Sequence, residues 1–181
     1  MRTIYLMPLA AAILLAGCGS ADTDGDGTIS AEEAAAEAAN GSVVQRPGQY
    51  KVTYELLDFR IPNVPDDARQ RVRDAVANGL GGGSFECVTA QDVADGGAAK
   101  MIEDLAKSDC TMTAFDVSGA TFSATAQCSQ RQGATRVVDM EGTMTAESST
   151  ATLVVTEDVP DVGTATTTIR ANAERFGECA G

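Results

Sequence analysis

No histidine and no tryptophan occur in these 181 residues, and aromatic side chains make up only 4% of them. Without histidine the chain lacks both the commonest general base and the commonest metal ligand. Positive charge is scarce as well: 13 Lys and Arg stand against 26 Asp and Glu, a formal net charge of −13. Phosphate recognition needs clustered bases, so nucleic acid is excluded as a partner, and an anionic bilayer surface would repel the chain. Nucleotide and hydrolase signatures are missing: there is no G-x-S-x-G elbow, P-loop or dinucleotide fingerprint. The glycines between Gly79 and Gly83 have no lysine and no preceding strand, so they read as a helix stop. Adjacent acids such as Asp66-Asp67 and Glu103-Asp104 read as solvated helix caps and faces. The expectation is a protein that is not an enzyme.

No apolar run reaches the roughly 20 residues a membrane-spanning helix needs. The longest, Ile4 to Leu15, follows Arg2 and ends in small residues, which is the layout of a secretory leader. Leu15-Ala16-Gly17-Cys18 resembles the lipobox of bacterial lipoproteins. The resemblance implies cleavage after residue 17 and acylation of Cys18, which becomes the first residue of the mature chain. The competing reading is an ordinary cleaved signal that leaves Cys18 a spare thiol. Gly19 stands where an aspartate would retain such a protein at the inner membrane, so the expected location is the bacterial envelope, at the outer membrane facing the periplasm. The partner of the anchor would be the membrane itself, through covalent lipid rather than charge.

The short segment beyond the anchor, residues 19–41, holds six acids and no base: Asp22, Asp24, Asp26, Glu32, Glu33 and Glu37. From Asp22 to Glu33 the chain fits D-x-[DN]-x-[DN]-G-x5-E and resembles the EF-hand calcium loop. The spacing puts Asp22, Asp24 and Asp26 at positions 1, 3 and 5, with Gly27 at the sharp turn. Thr28 would offer its carbonyl, Ser30 a direct or water-mediated contact, and Glu33 both carboxylate oxygens. Ile29, at position 8, is the residue that packs against a partner loop in paired hands. The entering helix is missing and only the exiting helix, Ala31 to Asn40, is present; dockerin modules are similar in this layout. No second loop exists for Ile29, so the expected calcium affinity is weak, about 10⁻⁴–10⁻³ M. The alternative is an acidic spacer, which would need neither Gly27 nor Ile29. Residues 18–41 are thus expected to be a tether carrying the loop.

Four cysteines remain after Cys18, and an even number in an exported chain suggests two disulfides. Cys110 and Cys128 are equally distant from Gly119, in the turn signal Val117-Ser118-Gly119-Ala120. A hairpin folded there sets them opposite each other, at about the 4.5–5.5 Å a disulfide can bridge. That pairs Cys110 with Cys128 and leaves Cys87 for Cys179. A four-cysteine metal site is disfavoured, because there is neither a C-x-x-C pair nor a histidine.

From Ser42 to Gly181 the pattern predicts one α+β domain. Tyr50, Val52, Tyr54 and Leu56 alternate with polar residues along a strand from Gln49 to Asp58. Asp66 can cap a helix to about Asn78, with Ala68, Val72, Ala75 and Val76 on one face. A short strand at 85–88 precedes a capping box, Thr89 with Asp92. After a break at Gly96-Gly97, Ala98 to Lys107 presents Met101, Ile102 and Leu105 on its buried side. Short strands follow at 110–115, 121–128, 134–146, 151–156 and 163–171, with turns at Ser118-Gly119, Gln132-Gly133 and Pro160-Asp161. The expected fold is an antiparallel β-meander, able to curl into an open barrel, with one or two packed helices and the calcium loop-helix tether in front.

Pro47-Gly48-Gln49-Tyr50-Lys51-Val52-Thr53, Cys87-Val88-Thr89, the spaced Cys110 and Cys128, and Arg175-Phe176-Gly177-Glu178-Cys179 carry a further resemblance. They are similar to the domain of unknown function numbered 3617, a family of small exported bacterial proteins. The resemblance implies a compact, disulfide-bearing envelope domain and transfers no catalytic residue. Two functions stay open: a structural or interaction module, or a carrier holding an apolar small molecule or lipid against the sheet.

Overall fold

The computed structural model describes residues 21–94, 97–129 and 134–179. The leader, Cys18, Gly96 and the Gln132-Gly133 turn lie outside the described residues. Helix α1 spans Ala31–Ala38, α2 Asp66–Leu80, α3 Ala90–Ala94 and α4 Ala98–Lys107. The strands are β1 (Gly48–Arg60), β2 (Ser84–Val88), β3 (Cys110–Ser118), β4 (Thr121–Ser129), β5 (Thr135–Met144), β6 (Ser148–Val159) and β7 (Gly163–Gly177). None of the described helices is long and apolar enough to cross a membrane.

All seven strands form one antiparallel sheet in the order β2-β1-β7-β6-β5-β4-β3, curled into a half-barrel. From β3 to β7 each strand pairs with the next, as short turns dictate. The chain's first strand then lies beside its last, and β2 forms one edge and β3 the other.

Period-two alternation gives the sheet one apolar and one polar face. Leu56, Ile169, Leu153, Met140, Ala124 and Phe115 are consecutive cross-strand partners, an apolar row spanning six strands. One position along, Glu55, Arg170, Thr152, Glu141, Ser123 and Asp116 form the matching polar row. Its first pair is an ion pair, Arg170 Nη1 to Glu55 at 3.3 Å.

The best-buried part of the apolar face lies at the β3–β4 end. Ala21, Ile29, Ala34, Met112, Phe115, Val117 and Ala124 form a buried cluster, and Met101, Ile102 and Leu105 of α4 pack against it. Towards β1 the face opens: Leu56, Leu153 and Ile169 are only half-buried.

Several expectations change here. Residues 21–41, expected as a tether in front of the domain, pack on β3 and supply three members of the buried cluster. Tyr54 is exposed despite its place in the alternation, while Tyr50 is buried and donates its hydroxyl to the Arg46 carbonyl at 2.7 Å. Burial raises the pKa of that phenol. Helix α2 has no buried residue: Val72 and Ala75 face solvent, and only part of the expected face, Ala68 and Val76, is half-buried beside β1. Its N-cap is Pro65, with Asp66 inside the first turn and bonded to Arg69 at 2.7 Å. Strands β1, β6 and β7 run past their expected ends, β7 as far as Gly177.

Candidate metal centre

The segment Asp22 to Ser30 owes its shape to short side chains that bond their own backbone. Asp22 accepts the amides of Gly25 at 2.7 Å and Gly27 at 3.0 Å, one on each carboxylate oxygen. Asp24 accepts the Asp26 amide at 3.1 Å, and Asp26 accepts the Thr28 amide at 2.8 Å. Gly25 and Gly27 take positive φ, 74° and 84°, a conformation that costs a side chain but not glycine. The chain thereby coils into a tight cup, and α1 begins at its rim.

Ser30 caps that helix. Its hydroxyl accepts the Glu33 amide at 3.2 Å, while Glu33 Oε2 accepts the Ser30 amide at 2.9 Å, a reciprocal capping box. The other oxygen, Oε1, accepts the Thr23 amide at 2.7 Å and the Thr23 hydroxyl at 2.8 Å. These donors, the Ser30 amide foremost, lower the Glu33 pKa from 4.5 to about 2.

Carboxylate oxygens of Asp22, Asp24 and Glu33 thus come within 4.8 Å of one another. Of the six residues predicted to ligate, these three converge. Asp26 instead bonds the amide and hydroxyl of Thr28, and the Ser30 hydroxyl donates to Glu33 at 2.9 Å. The donor set is all oxygen and carries three carboxylates, which suits a hard divalent cation of calcium's size. Sequence spacing missed Thr23, because position 2 of the motif is undefined. It also could not say where Ile29 packs: the Ile29 amide donates to the Met112 carbonyl at 2.8 Å.

The cysteines meet as the hairpin argument predicts. Cys110 and Cys128 are direct partners across β3 and β4 and form one disulfide; Cys87 and Cys179 form the other, with Cα atoms 5.4 Å apart. The second bond ties β2 to the residues just after β7. Close by, Phe85 and Phe176 meet edge to face at 5.8 Å and remain exposed. The remaining shifted groups are helix caps and surface pairs. Thr89 and Asp92 cap α3 reciprocally, and the Thr89 hydroxyl lowers the Asp92 pKa. On α4, Lys100 and Lys107 flank Asp104 at 2.6 and 3.1 Å, lowering its pKa.

The family model described as protein of unknown function, DUF3617, matches residues 45–179. The chain belongs to that family. The DUF3617 match holds all seven strands and both disulfides, while the acidic loop and α1 lie in front of it. No curated protein and no solved structure matches the chain.

Proposed function

We propose that this protein is a lipid-anchored component of the bacterial envelope that binds Ca²⁺ through residues 22–33, with its DUF3617 domain as a non-catalytic structural or interaction module. The observation that carries the reading is the convergence of Asp22, Asp24 and Glu33 oxygens within 4.8 Å in a loop that fits the calcium motif throughout. Asp22, Asp24 and Glu33 would hold the ion, and Asp26, the Thr28 carbonyl and Ser30 would complete the shell that calcium's six to eight oxygens require. Glu33 enters already ionised and held in place by Thr23 and Ser30, so little of its ordering remains to be done on binding. Cys18, three positions before the buried Ala21, would carry the acyl anchor.

Calorimetric Ca²⁺ titration of the chain from residue 20 onward, beside Glu33→Gln, tests the metal. A 1:1 isotherm that the variant abolishes supports the site, and no heat up to ~10 mM removes it. Membrane fractionation of Cys18→Ser tests the anchor, because an unacylated chain should leave the membrane pellet.

A second reading rests on the apolar row Leu56–Ile169–Leu153, which stays half-exposed where the half-barrel opens. That face would suit an apolar small molecule or an acyl chain, making the domain a carrier. A lipid co-purifying in native mass spectrometry, and lost from Leu153→Asp, would favour it; a ligand-free protein from the envelope would count against it.

A further inference from the structure

Residue 29 is where the loop and the sheet meet. Ile29 is 3% exposed and shares the buried cluster with Met112, Phe115 and Val117 of β3. Its amide donates to the Met112 carbonyl at 2.8 Å. β3 ends the sheet: one side pairs with β4, and the other meets residues 21–42. Further contacts run along that edge. Ala34 is 0% exposed, Glu37 Oε1 accepts the Val117 amide at 3.0 Å, and the Ser42 amide donates to the Gly119 carbonyl at 2.9 Å. The N-terminal segment therefore covers the open edge of β3 from Met112 to Gly119.

Asp22 and Asp24 precede Ile29, and Glu33 follows it. The anchored residue lies between the two arms that must converge on one ion. In a free segment, binding would have to order both arms against the backbone entropy of every residue fixed.

We propose that the edge of β3 serves as the partner this solitary loop otherwise lacks, with Ile29 as the positioning residue that couples calcium binding to docking of residues 21–42. The proposal rests on the reading of the loop as a calcium site. Docking on Met112 holds the ligand arms together, and by linkage calcium holds the segment on the strand edge with the same factor. Calcium then acts on the domain as a clamp over the β3 edge, and loss of the ion loosens that cover.

The test is calcium titration by calorimetry, together with amide hydrogen exchange, on the chain from residue 20 onward. Ile29→Ala leaves every ligand and the backbone bond to Met112 in place and removes the buried side chain that anchors the segment. Leu56→Ala trims the apolar face at the far side of the sheet and controls for general loss of stability. Ile29→Ala is expected to weaken calcium binding about tenfold, within the range of measured coupling, and Leu56→Ala to leave it within about twofold. Calcium should slow exchange of the Val117 and Ser42 amides in the wild type and much less in Ile29→Ala. A folded Ile29→Ala that binds calcium as tightly as the wild type overturns the coupling and leaves the calcium site standing. A wild type that binds no calcium overturns both. Should Ile29→Ala not fold, the wild type decides: exchange at Val117 and Ser42 unchanged by saturating calcium overturns the proposal.

Discussion

Thr23 closes the acidic loop onto Glu33, with its amide and its hydroxyl both on Oε1 at 2.7 and 2.8 Å. With the Ser30 amide and hydroxyl on Oε2, at 2.9 Å each, four donors favour the ionised carboxylate. The pKa falls from 4.5 to about 2, so the folded value lies below the unfolded one. The stability this group contributes is therefore complete above pH 4.5, erodes as pH falls, and is gone below about 2. Thr23→Val keeps the amide and the shape but deletes the hydroxyl. The Glu33 carboxyl should then titrate at a higher pH in calcium-free NMR spectra, and an unmoved titration would show that the hydroxyl bond is not made.

Glu37 gives a second handle on the same region. Its side chain accepts the Val117 amide at 3.0 Å, a β3 group that β4 does not reach. Glu37→Ala leaves that half-buried donor without its charged acceptor, which typically costs about 1–3 kcal/mol. The expected outcome in urea unfolding is a lower midpoint with an unchanged slope. Val117 exchange should accelerate even where global stability changes little.

The strands of the half-barrel were legible because alternation and turn residues agree along most of the chain. Gly119, at φ 62°, sits in the turn between β3 and β4, and the equal spacing of Cys110 and Cys128 about it predicted their pairing. The tail of β7 was not legible. Asn172-Ala173-Glu174-Arg175-Phe176-Gly177 has no apolar alternation of its own, and it is extended because β1 pairs with it from Gln49 to Thr53. Val72 and Ala75 misled in the opposite direction: helical spacing predicts a face, but α2 packs mainly beside β1, and Val72 and Ala75 stay exposed. At the candidate site the motif spacing was local and readable, and three of the six predicted ligands come together there. The docking of Ile29 on Met112 is a long-range event, and no local pattern encodes which surface a single apolar residue will choose.

Two glycines should respond to alanine with opposite signs. At Gly142 a Cβ would collide with the Phe122 ring and lie 2.6 Å from the Thr150 carbonyl oxygen, so neither β4 nor β6 has room for it. Gly142→Ala should destabilise by about 1–3 kcal/mol, as overpacked sites do. At Gly79, inside α2, a Cβ would meet nothing within 4 Å. Gly79→Ala should stabilise by about 0.5–1 kcal/mol through helix propensity alone. Thermal unfolding of the two variants side by side checks both; equal shifts would mean that Phe122 moves aside and the strands part without cost.

The two disulfides should differ in what they contribute, because they close loops of different length. Cys110 and Cys128 are 18 residues apart and already adjacent in a hairpin, whereas Cys87 and Cys179 are 92 apart. Chain-entropy arguments put the restriction of the unfolded state at about 3.2 kcal/mol for the short loop and about 4.6 kcal/mol for the long one. The long bond also pins the short edge strand β2, which has β1 as its only strand neighbour among the described residues. Cys87→Ala with Cys179→Ala should therefore lower the urea midpoint further than Cys110→Ala with Cys128→Ala. It should also release protection first at the amides of residues 84–88. If the hairpin pair proves the more costly to remove, the dominant effect is local packing, since Cys128 is buried, and loop entropy is the lesser contribution.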